Sequence, residues 1–291
     1  MIILFTTNNE ASLNIAKQLI ENYGFERKTE TQDYKNMKIW EYDGHRLIET
    51  NAPSVLDIPT DFDTELILVL SSHKSKNGGK MLTAHFPGNW NEAKYGGTPK
   101  TLNIACANKL KLLLQEMDHA NKQLGWPLVM EVDHHGPTCE VPIIFVEIGS
   151  TEEEWKNEDA AKVVAEAVSS FIAKYKTQDS KLETENRELE TKDSKHKTGN
   201  RVPKTVLGVG GGHYAKEFTE RVLDPKKDIA IGHIIPKYAI DELEIETFRQ
   251  AIEKTEENVT KILVLKEGTN SSQKKKIIKF AEACELGLEM C

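Results

Sequence analysis

Cysteine is scarce in this 291-residue chain. Its four thiols, Cys106, Cys139, Cys284 and Cys291, form no CxxC pair and no dense framework. That excludes a disulfide-stapled scaffold and points to a reducing, cytoplasmic setting. Long hydrophobic runs are also missing. No stretch approaches the roughly 20 apolar residues of a membrane helix, so no membrane partner is expected. Met1-Ile-Ile-Leu-Phe-Thr6 is short and lacks a basic leader, and reads as a buried strand instead of a signal peptide. Positive charge is in deficit: the net charge is −8 and the pI about 5.7. This argues against a DNA partner and against a broad nucleic-acid footprint. Lysines do gather locally, with Lys74, Lys76 and Lys80 in one cluster and Lys274, Lys275, Lys276 and Lys279 in another. Solvated faces explain such clusters as well as anion contacts do. HExxH, G-x-G-x-x-G and the Lys-Ser/Thr of a P-loop are all absent.

What is present is an alternation of apolar strands and amphipathic helices. Strands are expected at Ile2–Phe5, Met37–Tyr42, Arg46–Thr50, Leu66–Leu70, Met81–Phe86, Leu128–Asp133, Ile143–Ile148, Lys204–Val209, Ile229–Ile231 and Lys261–Leu265. Helices are expected from Ser12, Thr101, Thr151 and Asp241, with a final one from Ser272 to Cys284. The pattern predicts an α/β fold with a mixed, mainly parallel sheet and flanking helices. It reads as one domain over 1–291. A stretch at about 177–203 stands apart, because Leu182 and Leu189 are its only large apolar residues up to Arg201. It cannot bury enough area to offset its ordering entropy, and is expected to be a mobile linker or a solvated helical insertion.

The chain is organised around Glu131-Val-Asp-His-His-Gly-Pro-Thr-Cys-Glu140, a polar loop between two strands. Six of the nine histidines follow apolar strands: His73, His85, His134, His135, His213 and His233. A lone loop histidine is usually a surface residue. Several at successive strand ends are different, since a sheet gathers those ends on one rim. With Asp133, Glu140 and Glu147 nearby, such imidazoles suit a divalent transition metal, zinc above all. A metal-free reading uses one histidine as general base and another to stabilise charge.

Other features are open to two readings. Gly210-Gly-Gly212 lets backbone approach a substrate and offer N–H groups to an oxyanion or phosphate, or else makes a tight turn. Cys139 is a nucleophile beside His134 or His135, or a small buried thiol. Trp90 and Tyr95 stack on a base or pack internally.

Five separated motifs together resemble the archaeal and plant type of D-aminoacyl-tRNA deacylase. They are Ser71-Ser-His-Lys-Ser75, His85-Phe-Pro-Gly-Asn-Trp90, Glu131 through Thr138, Gly210-Gly-Gly-His-Tyr214, and Gly232-His-Ile234 with Lys237-Tyr238. The likeness runs from Met1 to about the final helix. It departs at Ala215-Lys216-Glu217, where a proline and basic residues are expected. The resemblance implies a phosphorylase/peptidyl-tRNA hydrolase-like fold and a zinc-dependent enzyme that hydrolyses the ester of D-aminoacyl-tRNA.

On that basis His85, His134, His135, Glu140 and His213 are the metal candidates. His73, His134, His135, His233 and Lys237 are the candidates for proton transfer and charge stabilisation. Gly210, Gly211, Gly212, Tyr214, Lys74, Asn89 and Trp90 are the substrate contacts. The expected partner is the tRNA acceptor end, met by a monomer. Two rival readings stand beside this one: a nucleosidase- or phosphorylase-like enzyme on a free nucleoside, and a non-catalytic tRNA-binding protein.

Overall fold

A computed structural model describes residues 1–28, 37–76, 78–189 and 203–291, with 176–189 described by backbone alone. In chain order, β1 (Ile2–Thr6) leads into α1 (Glu10–Asn22), then β2 (Glu26–Lys28), β3 (Lys38–Tyr42) and β4 (His45–Thr50). Next come β5 (Ile67–Lys74), β6 (Met81–His85), the short β7 (Gly88–Asn89) and β8 (Thr101–Leu102), and α2 (Ala107–Ala120). β9 (Leu128–Met130), β10 (Ile143–Ser150), α3 (Glu152–Trp155) and α4 (Glu158–Leu189) follow. The remainder is β11 (Lys204–Val209), α5 (Lys216–Leu223), β12 (Ile229–Ile235), α6 (Lys237–Ile240), α7 (Ile245–Glu253), β13 (Val259–Val264), α8 (Ser271–Ala283) and β14 (Gly287–Met290).

The strands form an eight-stranded sheet of order β2-β3-β4-β1-β5-β10-β6-β9, a four-stranded sheet of order β12-β11-β13-β14 and the short pair β7-β8. The second sheet is parallel throughout. The first is mixed: β1, β4, β5 and β10 pair parallel, whereas β6 runs antiparallel to β10. The expected mixed, mainly parallel α/β fold is therefore observed.

The apolar runs explain this arrangement. Successive strand side chains face opposite ways. Ile3, Phe5, Leu68, Leu70, Ile144 and Val146 join a core that includes Ile15 and Leu19 of α1, Leu113 of α2 and Phe171 of α4. Ile2, Leu4, Ile67, Val69, Ile143 and Phe145 pack on the other face with Ala52, Ile58 and Cys139. Strands buried on both faces have no reason to alternate, so they read as continuous apolar runs.

Several boundaries differ from expectation, some because a side chain acts as a cap or because pairing extends further. Asn9, not Ser12, caps α1, and its Oδ1 accepts the Ser12 N–H at 3.0 Å. The helix expected from Thr101 starts at Ala107, because both Glu257 carboxylate oxygens accept from its first turn, Ala107 N at 2.9 Å and Asn108 N at 2.7 Å. The helix expected from Asp241 is α7, from Ile245. β12 continues through His233, which therefore lies in a strand, not a turn. The charged stretch is helical to Leu189 as the end of α4, and 190–202, with His196, lies outside the described residues.

Candidate active site

The histidines meet on a face of the first sheet, not on its rim. Because β6 is antiparallel to β10, their carboxyl ends point opposite ways. Register places His85 beside Phe145, Thr83 beside Glu147 and His73 beside Gly149. Residues two apart on β10 share a face. His85, Glu147 and His73 therefore line up on one surface, with Glu147 in the middle. Its Oε2 stands 3.7 Å from His73 Nδ1 and 3.8 Å from His85 Nε2, and accepts from the Thr83 hydroxyl at 3.3 Å.

The segment after β9 is tied to the loop that follows β11 of the second sheet. Val132 N donates to the His213 carbonyl at 3.1 Å, and Ala215 N donates to that of Met130 at 2.8 Å. Glu131 is bridged antiparallel to Tyr214 between them. This sets the Glu131 carboxylate, 2% exposed, among three imidazoles. Oε1 lies 3.1 Å from His73 Nδ1, and Oε2 lies 2.6 Å from His213 Nε2 and 3.6 Å from His134 Nε2. The Tyr214 hydroxyl completes the His73 environment, 2.8 Å from Nε2.

The electrostatics follow from two buried carboxylates. Burial opposes charge on His73, but hydrogen bonds to Glu131 and Glu147 outweigh it and lift its pKa to about 11. His85 is shifted upward in the same way, against burial, by Glu147 and Glu131. Burial also opposes ionisation of both carboxylates, yet His213 and His73 hold Glu131 well below its ordinary range, and His73 and His85 do so for Glu147. The pocket demands positive charge. His134 and His135 respond oppositely: burial, and then the neighbouring His85, depress both, His135 to about 4. They are neutral imidazoles at pH 7, the form that ligates metals.

The donor set fits a transition-metal ion. His85, His134 and His135 offer one ligand atom each within 4.8 Å of one another, as do His73, Glu131 and His213. His85 Nδ1 lies 3.0 Å from the Phe86 carbonyl, His134 Nδ1 2.9 Å from that of Val132, and His135 Nδ1 2.5 Å from that of Gly136. An Nδ1–H donated to a carbonyl fixes the tautomer and leaves the Nε2 lone pair for a metal. His85 Nε2 and both Glu131 oxygens are buried without a well-formed hydrogen bond. Buried polar atoms in that state need another partner.

Other sequence candidates fall elsewhere. Glu140 is exposed and stands outside these candidate donor groups; Glu131 and Glu147 are the carboxylates within. His233 is fully buried in β12 and bonded through Nδ1 to Asp133 Oδ1 at 2.6 Å, while Asp133 Oδ2 accepts Ile234 N at 2.7 Å. It anchors the histidine loop to the second sheet and has no open side for a substrate. Trp90 is buried, its Nε1 donating to the Ile234 carbonyl at 3.1 Å, so it packs and does not stack on a base. Asn89 is likewise buried, and donates to the carbonyls of Gly96 and Thr98.

The amides of Gly210 and Gly211 are already committed to the carbonyls of Ile235 and Gly268, so they do not await an oxyanion. Lys74 and Lys237 are exposed, the latter's N–H donating to the Gly211 carbonyl at 2.9 Å. The Cys139 thiol is buried against the Thr60 carbonyl, and burial pushes its pKa up, away from a thiolate nucleophile. Glu131 was the residue that sequence reasoning passed over as a site member. The signal was there, a carboxylate inside the apolar run Leu128-Val-Met-Glu-Val132. Nothing local says what it faces.

The fold is α/β, and its buried histidine–carboxylate cluster has the composition of a hydrolytic enzyme's centre. The family model described as D-aminoacyl-tRNA deacylase matches residues 60–289. The chain is 35% identical to a D-aminoacyl-tRNA deacylase of Pyrococcus abyssi, covering 99% of this chain and 98% of that protein. It is 36% identical, with the same coverage, to one of Thermococcus kodakarensis. Among solved structures, the conserved protein of unknown function AF0625 aligns with a TM-score of 0.79 at 28% identity, covering 99% of this chain and 94% of that one. A Campylobacter jejuni 5'-methylthioadenosine/S-adenosyl homocysteine nucleosidase aligns only with a TM-score of 0.35 over 60% of this chain, too partial to carry an argument. The chain belongs to the D-aminoacyl-tRNA deacylase family.

Proposed function

We propose that this chain hydrolyses the ester joining a D-amino acid to the terminal ribose of tRNA, and that the His–Glu cluster is the reaction centre. The observation that carries the reading is the trio of imidazoles with Nδ1 tied to main-chain carbonyls, placed beside two buried carboxylates. His85, His134 and His135 would hold a zinc ion through Nε2. Zinc supplies a Lewis acid that polarises a carbonyl and brings the pKa of a bound water to about 7.

The chain's own residues do the rest. Glu131 Oε2, 2.6 Å from His213 Nε2, orients that imidazole and favours positive charge on it, so that Nδ1 can accept a proton from the attacking water. His213 suits this work because its side chain is 34% exposed, while Glu131 behind it is fully buried. His73, held protonated by Glu131 and Glu147, contributes fixed positive charge where the oxyanion develops. Tyr214 keeps that imidazole in place through its hydroxyl. Discrimination against L-substrates is steric: one side of Cα admits hydrogen and excludes a side chain. Among the described residues no helix is long and apolar enough to cross a membrane, consistent with work in the cytoplasm, where translation supplies the substrate. Membership of a deacylase family also sets aside the nucleosidase and non-catalytic readings.

The test compares D-tyrosyl-tRNA with L-tyrosyl-tRNA, using metal-stripped enzyme and enzyme with zinc restored. Selective release of D-tyrosine that requires zinc is expected. Selective release that survives rigorous stripping would keep the activity and remove zinc from the mechanism.

A further inference from the structure

A groove of about 650 Å³ opens beside the cluster, lined by Gly211, Gly212, Lys237, Tyr238, Glu267 and Asn270 among others. Gly212 is the residue before His213, so the groove begins one Cα step, about 3.8 Å, from a group that touches Glu131. A Cβ placed on Gly212 would meet nothing within 4 Å, so the space above it is open. Tyr238 is 62% exposed, one of the few large hydrophobic side chains left in solvent. An apolar ring face beside a reaction centre is a platform for a flat ligand.

The charges choose the ligand. Glu217, Asp241 and Glu267 line the groove against a single cation, Lys237. Carboxylates accept from hydroxyl and amino groups and repel phosphate. The fitting occupant is therefore flat, uncharged and rich in donors, which describes adenosine with its exocyclic amine and ribose hydroxyls. Phosphates are provided for further along. Asn270 and Gln273, at the groove's edge, begin α8, which then presents Lys274, Lys275 and Lys279. None of those three lysine ammonium groups has an ion-pair or hydrogen-bond partner among the described residues, whereas that of Lys276 donates to the Asp241 carbonyl at 2.8 Å.

We propose that this groove holds the terminal adenosine of the tRNA acceptor end, its base stacked on Tyr238, with the α8 lysines meeting the phosphates that precede it. The proposal deepens the deacylase reading and rests on it. It places the ester-bearing ribose beside His213.

Two readouts test it: adenosine binding by calorimetry or NMR titration, and KM and kcat on D-tyrosyl-tRNA. Tyr238→Ala should weaken adenosine binding and raise KM by about 5- to 150-fold, the range of one base–aromatic stack, with kcat little changed. Tyr238→Phe should retain both. Gly212→Leu should abolish adenosine binding without lowering the Tm. Replacing Lys274, Lys275 and Lys279 together by Gln should raise KM for the tRNA and flatten its salt dependence, leaving adenosine binding unchanged. Wild-type hydrolysis with no saturable adenosine binding, or with Tyr238→Ala behaving as wild type, overturns the groove and leaves the deacylase reading intact. Adenosine binding that needs Tyr238, in a protein that cleaves neither tyrosyl-tRNA, keeps the groove and sinks the deacylase reading. Inorganic phosphate binding in place of adenosine would make the groove an anion site and overturn the proposal.

Discussion

The two sheets handle charge in opposite ways. The eight-stranded sheet buries it: Glu147 and His85 sit in strands where their neighbours are Phe145, Val146 and Ala84, and Glu131 is locked against them. The four-stranded sheet and its loops leave Lys237, Glu217 and Glu267 in solvent around an open groove. Buried groups cannot relax into water, so each fixes its neighbour's protonation state. Exposed groups keep their water and serve recognition. The difference separates chemistry from binding, and His213 stands where the two meet.

The contrast breaks most severely at Glu131. Glu131→Gln should reduce turnover by about 10²- to 10⁴-fold, because His213 loses its orienting carboxylate. The His73 pKa, followed by NMR, should fall from about 11 toward its ordinary value of 6.5, since the largest upward contribution comes from Glu131. Glu140→Ala, in solvent, should leave turnover within about twofold of wild type, as surface changes usually do. Equal losses in both variants would remove the distinction between the buried carboxylate and the exposed one.

A second break lies in the joint between the sheets. Asp133→Ala leaves His233 buried without its partner and the Ile234 N–H without an acceptor. Leaving a buried donor unsatisfied costs about 1–3 kcal/mol, measurable by urea unfolding. A loss under ~1 kcal/mol would show that the pair does not join the sheets.

The smallest effect sharpens the comparison just beyond the carboxyl end of β10. Glu154 Oε2 accepts from Thr151 Oγ1 at 2.6 Å and from Thr151 N at 2.9 Å, and these bonds depress its pKa. A depressed carboxylate contributes stability that is present above its unfolded pKa of about 4.5 and is lost as pH falls through the folded value. Glu154→Gln keeps the capping geometry and removes the charge, so it should cost about 0.3–1 kcal/mol at pH 7 and less at pH 3, read from unfolding at the two values. An equal cost at both would assign the effect to packing.

Much of this was legible in the chain. Apolar runs such as Leu66–Leu70 and Ile143–Ile148 determined buried strands, since only a strand covered on both faces tolerates unbroken hydrophobicity. The motifs around His73, His85, His134 and His213 determined the family, and with it the expected chemistry. What they did not determine was who faces whom. That β6 runs antiparallel to β10, bringing His85, Glu147 and His73 onto one surface, is a matter of pairing between segments some 60 residues apart. That Glu131 and not Glu140 enters the cluster depends on a bridge to Tyr214, 83 residues away by number. Local sequence sets which residues are polar and where strands stop. Only the folded arrangement, with strands in register and the loop after β9 bridged to the loop after β11, takes water from a chosen few, and that desolvation gathers scattered histidines and carboxylates into one cluster.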